Sequence, residues 1–176
     1  MKARKIDRDG LLLCDLQGEA FELSLTAQDT SSEIFIRRFM HSSVAKELDN
    51  LRALQTNLHA RDILARIDEE YGRSGYGSIK YTPNEIFWIG YIYRYFSYTY
   101  SLSSLQVYKM IKPGDLRSLF LPYHTMDPAQ AIDRILESEN YYTDEESELH
   151  RQYKIFRAIR MEMAEKRGEY KTGKDN

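Results

Sequence analysis

The sequence predicts an all-α protein, a compact multi-helix single domain with a central, buried, aromatic-rich helix. Three observations carry that expectation. Apolar residues recur at three- and four-residue spacing in segment after segment, the period of a helix face rather than of a strand. Serine, threonine and aspartate stand just before such segments, with Pro or Glu at the offsets that open helices and Gly or Pro where they close. Finally, residues 86–104 read IFWIGYIYRYFSYTYSLSS, where Tyr91, Tyr93, Tyr95, Phe96, Tyr98 and Tyr100 crowd together with one charge, Arg94. A helix apolar on nearly every side belongs among other elements.

The elements follow in order. Residues 11–26 place apolar side chains at 12, 16, 20 and 23 and at 13, 21 and 25, which suits a helix. Gly18 leaves open a hairpin turning at that point. In DTSSEIFIRRFM, Ser31 or Ser32 is a natural cap, with Ile34, Phe35, Phe39 and Met40 on one face. A short helix follows Ser42 or Ser43. Residues 50–58 are a continuation of it or a loop. HARDILARIDEEYG, 59–72, spaces Ile63, Leu64, Ile67 and Tyr71 helically, and Gly72 stops it. The stretch 72–85 is a loop; its glycines lack the Lys-Ser/Thr ending and the preceding strand of a phosphate cradle.

Thr82, Pro83 and Glu85 then form a cap, a first helical residue and a capping box for the aromatic helix. Ser103 or Ser104 caps a short helix that ends before Pro113. PGDLRSLFLP is another short turn of helix, and Asp127 with Pro128 opens DPAQAIDRILE. A charged helix from about residue 143 to 167 carries a narrow stripe of Leu149, Tyr153, Phe156, Ile159 or Arg160, and Met163. The expected organisation is one helical domain over 1–168 and a flexible tail over 169–176.

Composition narrows the function. The chain has 176 residues, 30% charged and 42% hydrophobic, with a net charge of −2. That balance supplies no global field for nucleic acid or an anionic membrane, so any such contact needs a local patch. Ile86 to Leu102 is 17 residues, at the lower limit of a membrane span, with Arg94 at its middle and tyrosine hydroxyls that need partners. A core helix is the better reading. Cys14 is the only cysteine, which suits a reducing compartment, and LLLC is too short for a signal-peptide core. The expected location is the cytoplasm, with no membrane contact.

No catalytic signature is present, so the expectation is a protein that is not an enzyme and holds no cofactor or metal. His41, His59, His124 and His150 make no metal spacing with one another, with Cys14 or with a carboxylate. Cys14 lies in an apolar run without a cationic neighbour and reads as a buried, inert thiol. An enzymatic reading survives only if His124, Asp127 and a tyrosine converge in a pocket. The tyrosines could also stack bases, but such platforms sit on sheets rimmed with arginine, and here they lie on a helix.

Two binding constellations stand out. Residues 93–112 fit a helix-turn-helix template. Ser97 takes the small crossing position and Ser101 the turn position usually held by glycine. Phe96, Tyr100, Leu102, Val107 and Met110 fall on buried positions, while Ser103, Ser104, Gln106, Lys109 and Lys112 project with groups suited to base edges and phosphates. In the second, EIFIRRFMH, one of Arg37 and Arg38 must face out if Phe35 and Phe39 face in. An exposed arginine among aromatics is a usual anchor for a protein partner, so Arg37, Arg38, Phe39 and His41 are candidate contacts. The charged helix over 143–167 is a second candidate surface.

The stretches SSEIFIRRFMHSSVAKELD, YGSIKYTPNEIFWIGYIYRYFSYTY and SSLQVYKMIKPGDLRSLFLPYHTMDPAQAIDRI, spanning about residues 29 to 137, together resemble a family of small uncharacterised proteins from gut Firmicutes. That family often has Trp where this chain has Phe96. Its members are encoded beside a small protein that resembles an ADP-ribosyltransferase, in toxin–antitoxin-like clusters. The resemblance implies an antitoxin-like role and a toxin as protein partner, and it assigns no catalytic residues. The expected function is therefore a non-enzymatic, antitoxin-like module that neutralises its partner by direct contact. The alternative is a helix-turn-helix DNA-binding regulator.

Overall fold

The computed structural model describes residues 3–138. The chain divides into two compact units, Ala3–Arg134 and a second formed by Met1–Lys2 with Ile135–Asn176. Of the second only residues 135–138 are described. The expected charged helix over 143–167, its apolar stripe, His150 and the tail over 169–176 lie outside the described residues.

The described residues form nine α-helices and one 3₁₀ turn, with no strand, and the expected all-α class holds. In order they are α1 (Arg8–Ala27), α2 (Ser32–His41), α3 (Ser43–Asp49), α4 (Ala60–Tyr71), α5 (Pro83–Tyr100), α6 (Ser104–Met110), α7 (Pro113–Ser118), α8 (Phe120–Tyr123) and α9 (Pro128–Ser138). The 3₁₀ turn, Arg52–Gln55, settles the open reading of residues 50–58 as neither a continued helix nor a bare loop.

The expected caps are in place. Ser31 Oγ accepts from the Ile34 amide and Ser42 Oγ from the Ala45 amide. Thr82 and Glu85 bond each other's backbone as a capping box, with Pro83 at the first position of α5. Ser103 and Gln106 do the same for α6. Asp127 Oδ1 accepts from the Ala129 amide at the start of α9. Each cap satisfies an amide that the helix itself cannot, which fixes where these helices begin.

α5 is the centre of the first unit. Every residue from Ile92 to Tyr100 is buried, including Tyr93, Tyr95, Tyr98 and Tyr100. Three of these hydroxyls find partners: Tyr93 donates to the Ile111 carbonyl at 2.8 Å, Tyr98 to Asp7 at 2.6 Å and Tyr100 to Asp133 at 3.2 Å. The rings therefore contribute apolar area without stranding their polar ends. No helix among the described residues is long and apolar enough to cross a membrane.

α1 packs along α5 over the largest helix–helix interface of the unit. It is one continuous helix, not a hairpin, and it starts at Arg8 behind an Asp7 cap. Gly18 is no turn; it lies under Phe87, whose ring atoms come within 3.0 Å of where a Cβ would stand. The buried face also differs from the expected stripe. Leu12 is 50% exposed, and Leu16 and Leu23 are half-buried. Leu13, Ala20 and Phe21 are buried as the spacing suggested, and Gly10, Cys14, Gln17, Gly18 and Ser24 join them on the inward face. At Gly10 and Gly18 the rings of Tyr98 and Phe87 on α5 come too close for any side chain, while Leu13 and Phe21 are fully buried on the same face.

Gly90 marks the tightest point. A Cβ there would sit 2.9 Å from the Gln17 carbonyl oxygen and 2.9 Å from Phe21 Cγ. Phe21 in turn packs edge-on against Phe35 and Phe39, with ring centroids 5.4 and 4.9 Å away. Gly90→Ala must push α1 off α5 and is expected to lose ~1–3 kcal/mol of stability in thermal unfolding. Gly75→Ala is the control, since a Cβ at Gly75 meets nothing within 4 Å. Equal melting temperatures for the two variants would contradict this account of the α1–α5 contact.

Candidate functional site

Helix α2 exposes one edge towards α6 and α7. Phe35, Ile36, Phe39 and Met40 bury its other side, which turns Arg37 and His41 outward. A groove of about 340 Å³ runs there, lined by Glu33, Ile34, Arg37, Tyr108, Lys112 and Pro113, with Gly114 and Asp115 at its end. Tyr108 forms its aromatic wall. Lys112 Nζ lies 4.2 Å from the centre of that ring, and His41 meets the ring edge-on at 5.4 Å. Burial raises the Tyr108 hydroxyl above its ordinary value, and the nearby Arg37 charge pulls against that rise.

The groove's charges are unequally engaged. Glu33 Oε1 accepts the Tyr81 hydroxyl at 2.7 Å, and Tyr81 is pushed well up by burial and by that carboxylate. Arg117 lies over the Tyr81 ring at 4.4 Å and donates to Glu85 at 3.1 Å, so this side is held by a chain of contacts. Among the described residues, Arg37, Lys109 and Lys112 form no ion pair. The two constellations read separately from the sequence thus meet on one surface: Arg37 and His41 from the first, Lys112 from the second.

The remaining candidates are distributed otherwise. Phe39 is 0% exposed in the core beside Phe21 and touches no solvent, which corrects its assignment as a partner contact. Arg38 points away from the groove, donates to the Gly72 carbonyl at 2.9 Å and lies over the Tyr71 ring. Ser104 is buried, and its projection towards DNA is corrected too: its hydroxyl accepts from Arg94 and donates to Asp49, both at 2.7 Å. Ser103 and Gln106 are engaged with each other in the α6 cap. Lys109 is exposed.

The helix-turn-helix reading meets mixed geometry. Ser101 is left-handed at φ 55°, the conformation for which glycine was expected at this turn, and Ser97 donates to the Leu102 carbonyl at 2.6 Å. Phe96, Tyr100 and Val107 are buried as the template asks, while Leu102 and Met110 are half-buried. Asp49 Oδ2 accepts from the Ser104 amide at 2.9 Å, so a carboxylate already stands where α6 would meet a phosphate.

Arg94 is the residue whose role the sequence did not assign. It is 1% exposed yet fully engaged in the middle of α5. Nε donates to Gln17 at 2.8 Å, Nη1 to Asp49 at 2.7 Å and Nη2 to Ser104 at 2.7 Å. Gln17 passes the connection on, donating to the Gly90 carbonyl at 3.0 Å. One guanidinium therefore joins α1, α3, α5 and α6. The signal was present: a lone charge within an apolar helix requires a buried partner.

The residues of the enzymatic reading are engaged locally. His124 Nδ1 contacts the Phe120 and Leu121 carbonyls at 3.0 and 3.1 Å, its ring stacks on Phe120, and Asp127 caps α9. Among the described residues, no group of three or more His, Cys, Asp or Glu side chains could hold a metal ion. Burial raises the Cys14 thiol to about 12. No family model matches the chain, and no curated protein or solved structure matches it either.

Two outcomes follow from this geometry. Arg94→Met leaves the part-buried Asp49 without its cation and the buried Gln17 and Ser104 without their donor, and is expected to lose ~3–5 kcal/mol in urea unfolding. Adding Asp49→Asn in that background should recover part of the loss, because it removes the stranded charge. An Arg94→Met variant as stable as the parent contradicts the central role of the pair. Separately, Cys14 should resist iodoacetamide at pH 8 in the native protein and react readily in denaturant, since its thiol stays protonated far above that pH. Rapid native alkylation would refute its burial.

Proposed function

We propose that this protein is a non-enzymatic binding module of antitoxin type, which neutralises a partner protein by direct contact through the groove between α2 and α6. The observation that carries this reading is the meeting of Arg37, Tyr108 and Lys112 around one cleft, with His41 edge-on to the Tyr108 ring. Arginine and tyrosine at the edge of a groove are the side chains that most often dominate protein interfaces. The cations there are unpaired among the described residues, while the framework beneath them, from Phe35 and Phe39 to Arg94, is fixed. The resemblance described above points to an ADP-ribosyltransferase-like toxin as the partner.

Co-expression of the neighbouring gene product with this chain tests the reading. The two are expected to co-purify, and this chain to restore growth to cells that the neighbour arrests. Arg37→Glu combined with Lys112→Glu should weaken the complex by about tenfold or more and abolish rescue, with the melting temperature unchanged. A neighbour that is harmless alone, or that this chain fails to silence, ends the antitoxin reading.

The left-handed Ser101 supports a second reading, a helix-turn-helix regulator. In that case Gln106, Lys109 and Lys112 are the available DNA contacts. Lys109→Ala is then expected to lower the salt dependence of DNA binding by about one unit of slope. Absence of any salt-dependent DNA binding excludes it.

A further inference from the structure

A second cleft, of about 500 Å³, lies between the α3 end and the α5–α6 turn. That volume is within the range of small-molecule sites. Its floor holds Arg94 and Asp49, whose charges cancel across 2.7 Å. Arg4 lines one wall, held by an Nε bond to the Tyr98 carbonyl at 2.9 Å and by its guanidinium lying 4.0 Å over the Tyr98 ring. Asp7 takes the Tyr98 hydroxyl but forms no ion pair with Arg4. Arg4 is thus the one lining charge that forms no ion pair among the described residues, with the Asp7 carboxylate acting on it only at longer range.

The cleft's backbone is unusual on both sides. Leu51, which follows α3, has φ 60°, and Ser101, which ends α5, has φ 55°. Helices commonly end on a left-handed residue, but that residue is usually glycine, since a side chain makes the conformation costly. Both non-glycine side chains line this one cleft. Strained positions of this kind gather at ligand sites. For Ser101 the side chain adds a hydroxyl at the mouth, and no partner engages it among the described residues. Gln106 uses its carbonyl oxygen in the α6 cap and Asn50 its amide nitrogen on the Lys46 carbonyl, which leaves a donor on the first and an acceptor on the second.

We propose that this cleft binds a small polyhydroxylated oxyanion, with Arg4 pairing the anionic group and Ser101, Gln106 and Asn50 taking the hydroxyls. The neutralised Arg94–Asp49 floor limits the accepted charge to that which Arg4 can match. Phosphate monoesters and carboxylates share this chemistry. The assignment is independent of the protein-binding groove.

Isothermal titration calorimetry and thermal unfolding of the full chain test it with four probes: ribose 5-phosphate, gluconate, inorganic phosphate and ribose. At least one of the first two is expected to bind saturably and raise the melting temperature, and which one does so separates phosphoryl from carboxylate recognition. Ribose should not bind, and inorganic phosphate should bind more weakly than the sugar-borne anion. Arg4→Gln should cut the affinity about tenfold or more. Ser101→Gly should raise the melting temperature of the free protein, by relieving the left-handed strain, and still weaken binding. The proposal fails if neither sugar anion binds below ~10 mM, if ribose or phosphate binds as well as they do, or if both variants bind like the parent.

Discussion

Arg94 sets the constraint on which the first unit depends. A guanidinium removed from water costs several kcal/mol unless a counter-charge and hydrogen bonds replace its hydration. Here those partners come from four helices: Gln17 on α1, Asp49 on α3, Ser97 on α5 itself and Ser104 on α6. A shift of any of them would leave a charge or a donor unmatched in the interior. The network therefore selects one arrangement among the many that apolar packing alone would tolerate.

The apolar contacts obey the same geometry. Gly10, Gly18 and Gly90 let α1 lie close against the ring-bearing face of α5, and this closeness brings Gln17 within reach of Arg94. The Phe21–Phe35–Phe39 cluster then ties α2 to the same pair. Once α2 is seated by its aromatic face, its opposite edge, with Arg37 and His41, is displayed beside Tyr108. The interior thus determines which side chains remain outside for recognition.

Much of the local structure was legible in the sequence. Caps at Ser31, Ser42, Thr82, Ser103 and Asp127, the stop at Gly72 and the buried α5 depend on neighbours only a few residues away, and short-range chemistry decides them. The face of α1 was not legible. Of the two sets the spacing offered, Leu13, Ala20 and Phe21 are buried, whereas Leu12, Leu16, Leu23 and Leu25 are not, and Gly10, Gln17, Gly18 and Ser24 face inward. Hydrophobic periodicity assumes that the neighbour has room for large side chains, and α5 had already filled that room with rings. Phe39 and Ser104 were misplaced on the surface for a related cause, since a helix presents both faces equally until its partners are known.

By itself, then, the sequence determined that the described residues are helical, where most of their capped helices begin, and that the tyrosine-rich segment is interior. These follow from hydrogen bonds and steric preferences that act within a turn or two of chain. Tertiary structure alone decided that Arg94 meets Asp49, 45 positions away, and that Arg37 and Lys112 flank one groove. It also decided that two left-handed helix ends border the same cleft. Those pairings depend on the separation and crossing of helices, which only the mutual exclusion of packed side chains and the need to match a buried charge can fix.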